Sequence, residues 1–194
     1  MTKVKVLIEG YARKIKDGWL ASSTVTLVQS NGKNLIVDPG CNRKKLLEEL
    51  ANNGLNSGDI DFVLLTHTHT DHALLSGIFE KAKVLDNEEI YERDKQTKHN
   101  NKISKTDLEI IQTPGHCEEH CSLVVKTSKG IYVVAGDLFW WMDDEKQEVK
   151  IEKEDQAHPK EADMEKLIGS RKKILQLADY IIPGHGKMFK VSKK

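Results

Sequence analysis

The stretch His67-Thr68-His69-Thr70-Asp71-His72, "HTHTDH", follows directly after the apolar run "FVLLT" at residues 62–66. Three of the eight histidines in the chain lie within these six positions. Imidazole nitrogens and carboxylate oxygens are good ligands for zinc and similar divalent ions. Residues two apart in an extended loop point the same way, so His67 and His69 can bind one ion. Asp71 and His72 lie where a helix is predicted to begin and can face a neighbouring position, so the spacing predicts ligands for two ions.

Further candidate ligands follow the ends of other strand-like runs. "LEIIQTPG" leads into His116, "IYVVAG" into Asp137 and "DYIIPG" into His185. In layered α/β folds, the loops at strand ends present side chains to a common cleft. The glycine before each of these residues permits a tight backbone turn. Four strands that each deliver a histidine or an aspartate therefore predict one convergent site.

The rest of the chain alternates short strands with helices. "VKVLIEG" and "STVTLVQS" repeat with period two, which is typical of half-buried strands. "NRKKLLEELANNG" carries leucines on one helical face and ends at a glycine, and "KEADMEKLIGSRKKILQLA" is amphipathic, so both predict helices. "DHALLSGIFEKA", residues 71–82, predicts a helix that begins at Asp71. Residues 86–107 are ambiguous, and residues 143–155 predict a charged loop or a solvated hairpin.

Length and composition favour one soluble domain over residues 1–194. Lys+Arg and Asp+Glu balance at 30 each, so the net charge does not indicate a nucleic-acid partner, although a local basic patch remains open. No apolar run is long enough to span a membrane, and the N-terminus lacks the apolar centre of a signal peptide. Three cysteines do not make a disulfide framework. We therefore expect a cytoplasmic protein without a membrane partner, and nothing in the sequence indicates its oligomeric state.

These motifs together resemble the metallo-β-lactamase superfamily, in its hydrolytic, glyoxalase II-like type. The family signature is H-x-H-x-D-H followed by a His, an Asp and a His, and here it corresponds to "HTHTDH", "TPGHCEEH", "VVAGD" and "IIPGHG". "LIVDPG" is similar to the earlier strand-Asp turn of the family. The resemblance covers most of the chain and implies an α/β (α+β) fold, a four-layer αββα sandwich of two mixed β-sheets with helices on the outer faces. In its compact size the chain is most similar to the small stand-alone members of this superfamily.

The resemblance also implies a division of the ligands between two metal ions. The first ion would be bound by His67, His69 and His116. The second would be bound by Asp71, His72 and His185, with Asp137 bridging both. Asp38 would orient a ligand or the loop from behind, although its place before Pro39-Gly40 is explained equally well as turn chemistry. The ions are expected to be zinc, with iron or manganese as alternatives.

A dinuclear site of this kind implies a hydrolase. Two ions about 3.5–4 Å apart can hold a hydroxide and a substrate oxygen together, and metal binding lowers the pKa of water to about 7. We expect a metal-bound hydroxide to attack a small ester or thioester, with Asp71 as a proton acceptor as well as a ligand. Two alternatives stay open: a nuclease that cleaves RNA phosphodiesters, and an oxidoreductase that resembles the persulfide dioxygenases and uses one iron.

Several residues near the motifs have competing interpretations. Cys117 and Cys121 are predicted to pack as small apolar groups, with disulfide, metal or redox roles as alternatives. His120 can contact the site from behind, although a surface or structural role is favoured. The run Phe139, Trp140 and Trp141 is predicted to pack in the core or a lid rather than to line a substrate pocket. We predict that Cys41 is inert but lies near the cleft. We also predict that His99 and His158 are solvated.

Overall fold

The computed structural model describes residues 1–157 and 160–192. In that part of the chain the strands are, in order, β1 Lys3–Ile8, β2 Tyr11–Ile15, β3 Gly18–Ser22, β4 Val25–Ser30, β5 Lys33–Val37, β6 Phe62–Leu64, β7 Lys83–Leu85, β8 Glu89–Glu92, β9 Lys95–Lys98, β10 Glu109–Gln112, β11 Cys121–Thr127, β12 Gly130–Trp140, β13 Tyr180–His185 and β14 Phe189–Lys190. The helices are α1 Arg43–Asn52, α2 Thr70–Ala73 and α3 Met164–Leu177, and 3₁₀ turns lie at Ser57–Asp59 and Ser76–Ile78.

The strands form two large mixed sheets and one hairpin. The first sheet has the spatial order β1-β4-β5-β6-β7-β8-β9, and the second has the order β10-β11-β12-β13-β14. Within the first sheet β5, β6 and β7 run parallel, and within the second β12 and β13 run parallel, while the other neighbours are antiparallel. Among the described residues β2 pairs with β3 alone, and the two form a separate hairpin.

Alternation along the strands explains why the sheets stack. Leu35 and Val37 of β5 lie in a core cluster between the two sheets, whereas Ile36 lies on the outer face with α1. In the second sheet Val134 faces the inter-sheet core, and Val133 lies on the outer face that α3 covers. Successive side chains of a strand point to opposite faces, so both faces of each central strand are apolar and need a covering layer. The predicted αββα sandwich is confirmed.

Two helices begin directly after capping side chains, and α3 begins at Met164 rather than at Lys160 as predicted. The Asn42 side chain accepts a hydrogen bond from the Lys45 amide at 3.2 Å and begins α1. Asp163 accepts from the amides of Glu165 and Lys166, both at 3.1 Å, and begins α3. These side chains satisfy amides that have no partner inside the helix.

The helix predicted over residues 71–82 is wrong in extent. α2 ends at Ala73 and a 3₁₀ turn follows at Ser76–Ile78. Serine and glycine at positions 76 and 77 are poor helix formers. Leu75 and Phe79 are nevertheless buried in the outer core cluster. Among the described residues, no helix combines the length and apolar character needed to cross a membrane.

Candidate metal centre

The seven predicted ligand residues meet at one edge shared by the two sheets. The loop after β6 and the short α2 carry His67, His69, Asp71 and His72. The other three come from the second sheet: His116 follows β10, Asp137 lies in β12 and His185 ends β13. Their ligand atoms form three overlapping groups, each within 4.8 Å: His67, His69 and His116; His67, His72 and Asp137; Asp71, His72 and His185.

Asp137 lies at the centre of the cluster, with one oxygen toward each side. Its Oδ2 is 3.6 Å from His116 Nε2 and 4.0 Å from His67 Nε2. Its Oδ1 is 3.2 Å from His72 Nε2 and 3.7 Å from His185 Nε2. One carboxylate thus faces two different pairs of imidazoles through two different oxygens.

His69 and Asp71 complete the two groups of side chains that face the two oxygens of Asp137. His69 Nδ1 lies 3.0 Å from His116 Nε2, so His69 belongs with the group on the Oδ2 side. Asp71 Oδ2 lies 3.2 Å from His185 Nε2, so Asp71 belongs with the group on the Oδ1 side.

Buried polar atoms in the cluster fit a metal as their missing partner. His67 Nε2, His72 Nε2 and Asp137 Oδ1 are inaccessible to solvent, and none makes a hydrogen bond of normal geometry within the described part of the chain. Burial of an unpaired polar atom costs free energy, and such atoms are rare in folded proteins. Nitrogen and oxygen donors of this type are those that zinc and iron bind.

Two glycines allow Asp137 to occupy this position. Gly136 has φ +49°, and a Cβ at that position would lie 2.6 Å from Thr66 Oγ1. At Gly184 a Cβ would lie only 1.8 Å from Asp137 Oδ1. The first glycine therefore permits the left-handed turn before the carboxylate, and the second leaves the space that the carboxylate fills.

Asp38 orients the His72 imidazole from behind. Asp38 Oδ2 accepts hydrogen bonds from His72 Nδ1 at 2.9 Å and from Thr66 Oγ1 at 2.7 Å, and Oδ1 accepts from the Thr66 amide at 2.8 Å. The backbone of Asp38 has φ +50°, which is unusual for a residue other than glycine. A carboxylate that holds the outer nitrogen of a histidine fixes the direction in which the inner nitrogen points.

Two acidic residues outside the sequence motifs also contact the cluster. Asp155 is buried, and its Oδ2 makes a short hydrogen bond with His116 Nδ1. Glu161 is more exposed, and its Oε2 lies 3.0 Å from His69 Nε2. Both sit in or after the segment that was predicted to be a charged loop, and neither has a motif that distinguishes it from neighbouring acids.

His120 is buried behind the cluster and is not on the surface. Its Nδ1 lies 3.0 Å from Thr113 Oγ1, and its ring centroid is 5.3 Å from that of His67. Burial lowers the pKa of His120 to about 3, so the imidazole is neutral at physiological pH.

The pKa values of the buried imidazoles shift in opposite directions. Burial lowers the pKa of His67 well below its ordinary value, and the nearby His72 lowers it further. Burial also opposes a charge on His72, but the carboxylates of Asp137 and Asp38 outweigh it and raise the pKa of His72 well above the ordinary value. The pKa of Asp137 is held well below its ordinary value because the surrounding imidazoles outweigh its burial.

A cleft of about 590 Å³ opens onto the cluster. Its described lining is Ala12, Trp19, Ala21, Cys41, Thr68, His69, Thr70, Asp71, Leu74, Asp137, Trp140, Ala157 and His185. The aromatic run divides: Trp140 lines this cleft, whereas Phe139 and Trp141 pack in the core between the second sheet and α3. The prediction of core packing is therefore right for two of the three aromatic residues.

The cysteines have no bond to one another in the structure. Cys121 is buried in the inter-sheet core, as predicted, and Cys117 is half-buried. Cys41 lines the cleft, and its thiol donates to the Ala21 carbonyl at 3.1 Å. His99 is half-buried and its ring bonds to the Asp86 carbonyl at 3.0 Å, while His158 lies outside the described residues.

Comparison with known proteins supports the same family. A family model for the metallo-β-lactamase superfamily matches residues 18–186. Metallo-beta-lactamase domain-containing protein 1 of Xenopus laevis is 35% identical over 200 residues, which cover 98% of this chain and 82% of that protein.

Two solved structures share the fold. The di-iron-bound form of TTHA1623 has a TM-score of 0.64 at 20% identity, covering 87% of this chain and 90% of its own. The dizinc quorum-quenching lactonase AidC, in complex with a product, has a TM-score of 0.60 at 16% identity, covering 92% of this chain and 78% of its own. The family model covers most of the chain and the Xenopus relative matches nearly all of it, so the chain belongs to the metallo-β-lactamase superfamily and is a metallo-hydrolase of that superfamily.

Proposed function

We propose that the cluster binds two divalent metal ions and that the protein hydrolyses a small ester or thioester. The observation that carries this proposal is the placement of Asp137, whose two oxygens face different pairs of imidazoles. His67, His69 and His116 would bind one ion and Asp71, His72 and His185 the other, with Asp137 shared between them. The buried atoms without a hydrogen bond, His67 Nε2, His72 Nε2 and Asp137 Oδ1, lie on both sides of the cluster, so a single ion would leave some of them unsatisfied.

We assign zinc as the expected metal. The imidazole and carboxylate donors suit zinc, and a fold relative of this chain, AidC, is described as a dizinc lactonase. Another fold relative is described in a di-iron-bound form, and imidazole and carboxylate donors also bind iron, which supports iron as the alternative. When bound, such a pair of ions supplies a nucleophile from water at neutral pH and polarises the oxygen of the substrate.

Asp71 is the residue that we assign to proton transfer. It lines the cleft, and its pKa is below the ordinary value because the hydrogen bond from His185 and the charge of His72 outweigh partial burial. The carboxylate is therefore ionised at neutral pH and can accept a proton at Oδ2. His185 Nδ1 lies 3.1 Å from the Tyr11 carbonyl, which fixes the imidazole beside Asp71.

The cleft favours a small uncharged acyl substrate over a phosphodiester. Its volume of about 590 Å³ is in the usual range for small-molecule sites. Trp19, Leu74 and Trp140 supply apolar surface, and no lysine or arginine occurs among the described lining residues. Binding of a nucleic-acid backbone depends on lysine and arginine contacts to phosphate, so this lining supports an ester or thioester with an apolar group.

The free thiols of the three cysteines are consistent with the reducing environment of the cytoplasm. Cys41, Cys117 and Cys121 are free thiols in the structure. Free thiols persist where glutathione and thioredoxin keep them reduced, which supports the proposed cytoplasmic location.

The test combines metal analysis with a substrate panel. We expect purified protein to contain two equivalents of zinc per chain and to cleave apolar esters or thioesters in preference to model phosphodiesters. Asp137→Ala should lose activity and most of its metal, because one carboxylate is shared by both sides. Asp144→Ala removes an exposed carboxylate from the same region and should retain both.

Three results would contradict the proposal. The first is full activity in Asp137→Ala with metal retained. The second is faster cleavage of phosphodiesters than of any ester or thioester, which would indicate a nuclease. The third is a single iron per chain together with oxygen uptake, which would indicate a dioxygenase.

A further inference from the structure

Residues 151–155, which we call the strap, are held against the second sheet by a buried arginine. Arg171 projects from α3 and is only 2% exposed. Its Nη1 donates to the carbonyls of Ile151 at 2.8 Å and Lys153 at 2.5 Å, and its Nε donates to the Leu138 carbonyl at 2.7 Å. The guanidinium thus ties the strap to the strand that carries Asp137.

The strap ends at the residue that holds His116. Asp155 is the last strap residue, and its Oδ2 bonds with His116 Nδ1, on the side of the ring away from the cluster. In the middle of the strap, Lys153 Nζ donates to the Trp140 carbonyl at 2.9 Å and lies 4.9 Å from the centre of the Trp140 ring. Two strap side chains therefore contact residues of the candidate site.

Burial of Arg171 needs an explanation beyond packing. An isolated charge in the interior is costly, and apolar residues of similar volume are often at least as stable as a buried charged group. Burial lowers the pKa of Arg171 to about 10, and the charge of Asp155 raises it in opposition. The guanidinium donates to backbone carbonyls in the strap and in β12, and its fixed fork suits the task of holding two segments in register.

We propose that Asp155 and Arg171 are positioning residues for the first metal ion: Arg171 fixes the strap, and the strap holds Asp155 against His116. This inference rests on the proposed function, because it concerns the orientation of a proposed ligand. Loss of a hydrogen-bond partner behind a metal-binding histidine typically lowers metal affinity about ten- to a hundredfold. The effect should be confined to the side of the site that contains His116.

The experiment measures the two zinc affinities separately, by competition of the full-length protein against a chelating dye. We expect Asp155→Asn and Arg171→Met each to weaken one zinc equivalent about ten- to a hundredfold and to leave the other unchanged. The double variant should be no weaker than the weaker single variant, because both act through one contact. Trypsin should also cleave Arg171→Met faster after Lys150 or Lys153, since the strap is released.

Matched controls lie next to each position. Lys172→Met removes a positive charge from the neighbouring exposed position of α3, and Glu154→Gln removes a negative charge from an exposed strap position. Both controls should keep both zinc affinities and the wild-type rate of tryptic cleavage. If Arg171→Met does not fold, Arg171→Lys replaces it, and we expect the same one-sided loss because an ammonium group lacks the guanidinium fork.

The outcomes separate this inference from the proposed function. Wild-type protein that takes up no zinc or other divalent metal would overturn the proposed function and the inference with it. Wild-type protein that binds two ions, together with variants that keep both affinities or lose both equally, would overturn the inference alone. Additive losses in the double variant would also contradict it, because they would show that Arg171 does not act through Asp155.

Discussion

At the scale of single residues, the candidate site depends on the absence of a side chain at position 184. The Asp137 carboxylate occupies the volume that a Cβ of residue 184 would need, since that Cβ would lie 1.8 Å from Oδ1. Such a contact is far inside van der Waals distance, so either the strand or the carboxylate must move. Because Asp137 reaches both halves of the cluster, a shift of this one group affects every proposed ligand.

We therefore expect Gly184→Ala to lower metal content and to reduce activity by at least about tenfold, because a small misplacement of a reacting group is costly. Gly169→Ala is the matched control, since a Cβ there meets nothing within 4 Å and lies on an exposed face of α3. Alanine is a better helix former, so the control should gain up to about 1 kcal/mol in free energy of unfolding with unchanged activity. Metal analysis, kinetics and denaturant titration measure these effects. Equal activity in the two variants would contradict the crowding argument.

The sequence predicted residues that belong to motifs better than residues that support them. The ligand residues in "HTHTDH" and after the later strands could be predicted, because this spacing of histidines and aspartates is unusual for residues without a metal-binding role. Asp155 could not, because it lies among several acidic residues and only the tertiary fold selects it to meet His116. For His120 a surface or structural role was favoured over contact with the site, because a histidine four positions after His116 has no periodicity that reveals its burial.

At the scale of elements, the β2–β3 hairpin adds an apolar wall to the cleft. Alternation along β3 places Trp19 and Ala21 toward the cleft, while Leu20 points the other way. This hairpin could not be predicted from the sequence, because charged residues interrupt the apolar positions of β2. The β8–β9 hairpin was ambiguous because all four β9 side chains are exposed and show no inward face. Central strands with apolar residues on both faces, by contrast, were predictable.

We expect Trp19→Ala to raise the KM for apolar ester or thioester substrates several-fold, with a smaller effect on kcat, because the ring provides binding surface and lies outside the group of proposed ligands. Leu20→Ala removes an exposed apolar side chain from the opposite face of the same strand and serves as the control. Steady-state kinetics across a series of acyl chain lengths measures the difference. A KM that is unchanged in Trp19→Ala, or raised equally in both variants, would show that the hairpin does not bind substrate.

At the scale of the whole molecule, removal of metal should change how stability depends on pH. In the metal-free protein the pKa of His72 is raised by Asp137 and Asp38, so its imidazolium stabilises the folded state fully below the unfolded pKa of about 6.5. That contribution is lost as pH rises through the folded pKa. His116, whose pKa is also raised because hydrogen bonding to Asp155 and the charge of Asp137 outweigh burial, acts in the same direction.

The melting temperature of chelator-treated protein should therefore fall more steeply as the pH rises above about 6.5 than that of metal-loaded protein. Bound metal requires the imidazoles to be neutral already, so the loaded form has no such proton to lose. Asp38→Asn removes one of the carboxylates that raise the pKa of His72 and should flatten the curve of the metal-free form. Parallel curves for the loaded and chelated wild-type protein would contradict this account. Thermal unfolding by circular dichroism is the measurement.

The division of ligands between the two sheets has a consequence for protein synthesis. The first proposed ligand is residue 67 and the last is residue 185, so more than half of the polypeptide lies between them. A nascent chain that has not yet extended past His185 lacks one proposed ligand of the second metal ion, even if the preceding residues have already folded. Hydrolytic competence would consequently arise only after residue 185 has left the ribosome, and shorter nascent chains would be inert toward substrates in the surrounding cell.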